Sequence, residues 1–362
     1  MSKKKDKKKL LILMIATIIF IAAIILIAVK SCGNNGETDT TTTSEVTTTD
    51  ESQPVGTVNP LTGLSGFDKS KLGTRPVAIV ISNAPAARPQ WGICTPDILT
   101  QMLVEGGMTR FIGLFSDVDK MPKMGPVRSA RHDFIEYAQG FDAIFVHWGG
   151  SKYAYSAIKT DSRNIDNIDG MGGTYFRRDK SRSNVGIEHR GYTTGEDISK
   201  AIQKKDLNTK INDSFKSILS FNPENSPMDL SGGICQKILF RFSGSSKNEF
   251  KYNSDKNLYY FSQNGKEVKD SDGVQYSSTN VIVLYCDISS MGDNKGCVDI
   301  DLSSGVGIVA SNGTFENITW SKGEYNDTLK LFAQAGSEFT LNAGKSYVGF
   351  VPNSQSKYTS VS

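Results

Sequence analysis

Residues 10–29 of this chain, LLILMIATIIFIAAIILIAV, hold no charged residue and no proline, and they follow a segment from Lys3 to Lys9 with six lysines and one aspartate. An apolar stretch of that length has one comfortable environment: at about 1.5 Å per residue, a helix of ~20 residues crosses the ~30 Å hydrocarbon core of a bilayer. Lysines on its amino side hold that end in the cytoplasm. The stretch therefore predicts a single N-terminal transmembrane helix, with residues 1–9 as a cytoplasmic basic tail and everything after residue 30 outside the cell membrane. A cleaved signal peptide fits less well, because its apolar core usually runs about 7–15 residues. Val29-Lys30-Ser31-Cys32 also resembles a lipoprotein processing site, which would put a lipid on Cys32, although Lys30 departs from that pattern. Both readings leave the rest of the chain tethered to the outer face.

That placement decides which charges matter. Of the 41 basic and 38 acidic residues, seven lysines and one aspartate lie before residue 36, leaving 34 basic against 37 acidic. A general nucleic-acid binder should be basic in its folded part, so no nucleic-acid partner is expected. Residues 30–57, rich in threonine, cannot bury a core and read as a linker. Cys94, Cys235, Cys286 and Cys297 form no C-x-x-C pair and no zinc spacing. Cys286 and Cys297 could close a loop between two strands; buried free thiols are the other reading.

Two domains follow the linker: an α/β (α+β) domain with a mixed sheet at 58–205 and, after a second linker at 206–232, an antiparallel all-β domain at 233–355. In the first, residues 76–82 (PVAIVIS) make a buried strand. Residues 97–105 and 108–116 read as a hairpin closed by Gly106-Gly107. In that register Glu105 and Arg110 are diagonal neighbours on one face. Residues 128–138 read as a helix, 143–147 as a strand, and 152–159 as a short helix capped by Ser151. Strand, helix and strand would make a right-handed crossover with Gly149-Gly150-Ser151 at the carboxyl end of a parallel strand, where open α/β sheets bind ligands. Residues 164–192 are irregular, and a loop that long is more often functional than idle. From Cys235 onward the pattern is of short strands at 237–242, 258–262, 281–286, 298–302, 307–311, 316–320, 330–333, 338–341 and 347–351, with Asn264-Gly265 and Asn312-Gly313 marking tight turns.

There is no phosphate-binding loop, no H-E-x-x-H, no G-x-S-x-G and no calcium loop. The three histidines, His132, His147 and His189, are too dispersed to suggest a metal, and no cofactor is expected. What remains is a polar set in the first domain: Glu105 and Arg110 in the hairpin, Arg128 and Arg131, His147 with Gly149, Gly150 and Ser151, and Arg178, Asp179, Arg182 and His189 in the long loop. Arginine forks suit carboxylate and phosphate groups, so an acidic ligand is the natural inference. Arg128 and Arg131, three apart on the expected helix, should share one face and point into the pocket at Gly149-Gly150-Ser151. On that expectation their joint replacement by alanine abolishes retention on an acidic polymer and leaves stability nearly unchanged.

Several of these motifs, taken in order, resemble the YerB-like family of bacterial envelope lipoproteins, a family of unknown function with an N-terminal and a C-terminal domain. They are Asn59-Pro60-Leu61-Thr62-Gly63, Ala87-Arg88-Pro89-Gln90, Val104-Glu105-Gly106-Gly107-x-Thr109-Arg110-Phe111, Gly125-Pro126-Val127-Arg128-Ser129-Ala130-Arg131 and His147-x-Gly149-Gly150-Ser151. Gly344-Lys345-Ser346-Tyr347 is similar to the C-terminal part. The resemblance implies location and architecture, and it supplies no reaction. Two functions are therefore carried forward. The first is a non-catalytic envelope module binding an acidic cell-wall polymer or an envelope protein through the arginine-rich pocket. The alternative is a wall-polymer-modifying enzyme using Glu105, His147 and Ser151, and no nucleophile elbow or paired-carboxylate signature favours it.

Overall fold

The computed structural model describes residues 57–159, 165–215 and 219–362. The expected transmembrane helix at 10–29, the basic tail and Cys32 lie outside these residues. Among the described residues no helix is long and apolar enough to cross a membrane. The described residues gather into one compact unit.

Five strands organise the N-terminal half: β1 (Val77–Ser82), β2 (Ile98–Leu103), β3 (Thr109–Phe115), β4 (Ile144–His147) and β5 (Asn167–Asp169). Every residue of β1 is buried, because Ala78 and Val80 enter one hydrophobic cluster while Val77, Ile79 and Ile81 enter the other. A continuous apolar run, rather than an alternating one, is what a strand covered on both faces requires. Three α-helices, α1 (His132–Gln139), α2 (Lys152–Lys159) and α3 (Gly195–Lys204), belong to this half.

The strands stand in the order β2-β3-β1-β4-β5, and the sheet continues past β2 through Ser346–Pro352, Asn280–Cys286, Ser304–Ser311, Thr314–Ser321 and Lys330–Ala333 to make ten strands. It is mixed, as expected: β1 is antiparallel to β3 and parallel to β4. Most of the C-terminal pairing is antiparallel. A second sheet is built on Lys237–Ser243, Ser246–Asn253 and Leu258–Gln263. Ser346–Pro352 departs from that pattern, running parallel to both β2 and Asn280–Cys286 and thereby joining the two halves in one sheet. Alternation patterns say which face of a strand is buried. They do not say which strand lies beside it.

Three local expectations are corrected. The helix starts at His132, not at residue 128: Arg131 is extended (φ −126°, ψ 154°) and Arg128 N donates to Val80 O at 3.0 Å, so segment 127–131 is drawn into sheet-like pairing with β1 and with Trp148 to Ser151. Residues three apart in an extended chain do not share a helix face. The crossover changes too, because β3 is antiparallel to β1 and hence to β4. The parallel unit is β4–α2–β5. It still leaves Gly149 to Ser151 at the carboxyl end of a parallel strand. Finally, Glu105–Gly107 form a 3-10 turn with Gly106 and Gly107 at positive φ, and Leu103 pairs with Thr109, a register shifted by one residue from the two-residue hairpin. The strand Ser246–Asn253 escaped the sequence reading because two of its inward positions, Ser246 and Asn248, are polar.

Candidate functional site

Beyond β4 the chain turns at Gly149 (φ +74°), whose amide donates to Asp169 Oδ1 at 2.8 Å. Ser151 N donates to Ala130 O, and the Ser151 hydroxyl accepts from Ala154 N at 3.1 Å, capping α2. The expected cap is therefore present, and it occupies that side chain. Beside this turn opens a cavity of about 460 Å³ whose walls include Glu105, Ser129, Arg131, Gly150 and Ser151. Its other wall comes from far along the chain, from Asp293, Asn294, Lys295 and Cys297, with Lys152 from α2 between them.

Glu105 and Arg131 are clamped to each other. Arg131 Nε donates to Glu105 Oε1 at 2.6 Å and Nη2 to Oε2 at 2.7 Å, the two-point geometry that suits a guanidinium and a carboxylate. Burial is the largest single influence and works against the Glu105 charge, but the hydrogen bonds and charge of Arg131, together with the nearby Arg110, outweigh it and hold the carboxyl below its ordinary value. The Cys297 thiol donates to Glu105 Oε1 at 3.4 Å, and burial, together with Asp293 and Glu105, pushes it up to about 11. All four described cysteines are free, Cys286 and Cys297 among them.

Arg110 lies behind this pair, 8% exposed, with Nη1 donating to Ser129 O. It does not bond to Glu105 as the expected hairpin would allow. Among the described residues no carboxylate stands within ion-pair distance of it, and burial, with Arg131 and Arg128 beside it, pulls its guanidinium down to about 9.

The remaining sequence candidates are used inside the fold. His147 is fully buried, donates from Nδ1 to Gly149 O at 2.8 Å and stacks on Phe145, so it supports the glycine turn. Its hydrogen bonds and those of Ser151 go to different partners, and no Ser–His couple forms. Arg128 Nη1 donates to Glu188 O at 3.2 Å, and Arg178 donates to Ile187 O and covers the Trp148 ring at 4.4 Å. Arg182 donates to Ala87 O and Pro89 O and stacks at 3.5 Å on Trp91. Asp179 accepts from Lys123 at 2.6 Å and from Ser181, which holds its carboxyl well below the usual range. His189 sits next to Glu188, and burial with the nearby Arg128 lowers its affinity for a proton. These residues fasten the 176–192 loop to the body, apart from the cavity.

Sequence reasoning missed the wall from 293–297, for which the polar turn Asp293-Asn294-Lys295-Gly296 is the sole local signal. It also missed a group at the start of α1. His132 Nε2 lies 3.2 Å from Asp133 Oδ1 and 2.9 Å from Asp299 Oδ1, and these donor atoms are close enough together to hold an ion. Burial raises the Asp133 carboxyl to about 6.

An α/β protein with two large sheets and a charged cavity at a parallel strand end is the class these features define. Residues 61–208 match the "Protein of unknown function (DUF3048) N-terminal domain" and residues 238–348 the corresponding C-terminal domain, and the chain belongs to this family. It is 30% identical over 300 residues to the protein named "Putative lipoprotein YerB" from Bacillus subtilis (strain 168), covering 81% of this chain and 86% of that protein. The crystal structure of YerB protein from Bacillus subtilis superposes with a TM-score of 0.71 at 28% identity, over 84% of this chain and 99% of that one.

Proposed function

We propose that this chain is a membrane-tethered, non-catalytic module of the cell envelope that holds an acidic wall polymer or an acidic face of an envelope protein at the cavity beside Gly150 and Ser151. The name of the Bacillus subtilis relative as a lipoprotein supports the tether, as does the apolar run at 10–29. The observation that carries the reading is a charge excess: Arg131, Lys152 and Lys295 in the cavity wall, with the buried Arg110 behind them, outnumber Glu105 and Asp293, and among the described residues Arg110 has only backbone oxygen as its hydrogen-bond partner. An anion entering there finds Lys152 and Lys295 at the rim and a field from the buried guanidinium groups behind. Nothing in the arrangement favours the enzyme alternative, since Glu105 is engaged by Arg131, His147 is sealed in the core and Ser151 caps a helix.

The test is retention of the detergent-solubilised full chain on immobilised poly(glycerol phosphate). Retention is expected at low salt and should fade as ionic strength rises, because the Debye length shrinks to ~10 Å at 0.1 M. The double variant Lys152→Glu/Lys295→Glu, at two exposed positions, should lose retention about tenfold with an unchanged melting temperature. Absence of retention at low salt, or retention indifferent to the double reversal, would overturn the proposal.

A further inference from the structure

The opposite end of the sheet holds a larger cavity that the polar set of the sequence does not touch. Arg75 just before β1, Asp142 just before β4 and Asp166 just before β5 stand there at the amino ends of parallel strands, and with Gln139 at the end of α1 they line a space of about 530 Å³. That is within the ~300–1,000 Å³ of ordinary small-molecule sites. Arg75, 9% exposed, ties both carboxylates: its Nε lies 3.3 Å from Asp142 Oδ1, its Nη1 donates to Asp166, and the same nitrogen donates to Asn208 O at 3.0 Å. Arg75 thus engages both carboxylates at the base. With Lys210 and Asp213 also in the wall, acidic groups outnumber basic ones, which disfavours an anionic ligand.

The rest of the wall is amide and aromatic. Gln139 is 8% exposed and lines the cavity, and its Nε2 is buried with no hydrogen-bond partner. Leaving such a group unpaired costs about 1–3 kcal/mol, a cost that a turn of the amide toward a ligand acceptor in the cavity would remove. Phe215 offers a partly exposed ring. Phe215 and Asn326 also line an adjoining cavity of about 360 Å³, so the two spaces meet across that ring and that amide.

We infer that this groove binds an uncharged oligosaccharide, with the Phe215 ring against a sugar face and Gln139 and Asn326 hydrogen-bonding its hydroxyl or acetamido groups. Each feature matches that chemistry: planar amides and carboxylates pair with neighbouring hydroxyls, a flat aromatic face covers the C–H side of a pyranose, and two neighbouring cavities that share Phe215 and Asn326 suit a chain rather than a single ring. An extended peptide would instead ask for a free strand edge and apolar side-chain pockets. The site is independent of the anion-binding cavity, which lies at the carboxyl end of β4.

The full chain in detergent is titrated calorimetrically with maltotriose, cellotriose, tri-N-acetylchitotriose and, as the peptide control, trialanine. At least one trisaccharide is expected to bind at millimolar concentration or below, and Gln139→Leu should weaken it about tenfold. That substitution removes an unpaired donor, so the melting temperature should hold or rise, whereas a purely structural glutamine would lower it. Should Gln139→Leu fail to fold, Asn326→Ala on its exposed loop gives the same reading. Both variants keep their retention on poly(glycerol phosphate), which separates this site from the other. No trisaccharide bound at millimolar concentration, trialanine bound in their place, or affinity untouched by the variant would overturn the inference.

Discussion

Arg131 is the residue whose meaning changed most between chain and fold. In the sequence it is one of two arginines three apart, available to a ligand. In the fold its guanidinium is forked to Glu105, and its Nη1 donates to Ala130 O at 2.7 Å. Removing one partner of a largely buried pair strands the other, at a cost of about 3 kcal/mol. Arg131→Ala should therefore shift the urea midpoint strongly, and Glu105→Gln combined with it should cost clearly less than the two single changes added together. Strict additivity in that double-mutant cycle would show that the fork contributes nothing. This revises the expectation that both arginines could be lost with stability nearly unchanged. Arg128 and Arg182 show the same shift of role, each donating to backbone carbonyls of neighbouring segments.

At the scale of elements, the β2–β3 connection sets where Glu105 points. Gly106 takes φ 66° and ψ 22°, a left-handed conformation, and a Cβ there would meet no atom within 4 Å. Any cost of substitution is then conformational rather than steric. Gly106→Ala should destabilise by about 1 kcal/mol, and Gly106→Asn by less, because asparagine tolerates that region. Equal losses for the two would point to a hidden contact instead. The Gly-Gly pair was legible as a turn, but its conversion into a 3-10 turn, with the register moved by one residue, was not. The same limit appears at 127–131. Residues 128–131 read as the start of the helix at 128–138, and hydrogen bonds to β1 and the 148–151 segment hold them extended.

For the whole molecule, the ten-stranded sheet predicts how it unfolds. Ser346–Pro352 is buried throughout and pairs with strands from both family domains, so neither half completes its sheet alone. A buried network adds to this junction: Gln101 Oε1 accepts from Asn248 at 2.8 Å and from the Tyr347 hydroxyl at 2.6 Å. Thermal unfolding should be a single transition by far-UV and near-UV circular dichroism, and chains ending near residue 208 or starting near 238 should not fold cooperatively. Two separated transitions would mean that the halves are energetically independent.

The sequence alone determined most of the segments that become strands, which of their faces are apolar, where the tight Asn-Gly turns lie and, through many small motifs in order, the family. These are local properties: β-branched runs, alternation and turn chemistry act over a few residues, and their signal is written in adjacent positions. Tertiary structure alone decided that the two halves share one sheet, that Arg131 pairs with Glu105, that Asp293 to Cys297 close the cavity, and that Gln139, Phe215 and Asn326 meet across a groove. Those arrangements join residues far apart in the chain, Glu105 and Cys297 by 192 positions and Gln101 and Tyr347 by 246. They depend on which complementary surfaces find each other when the core forms, and no short window of sequence carries that information.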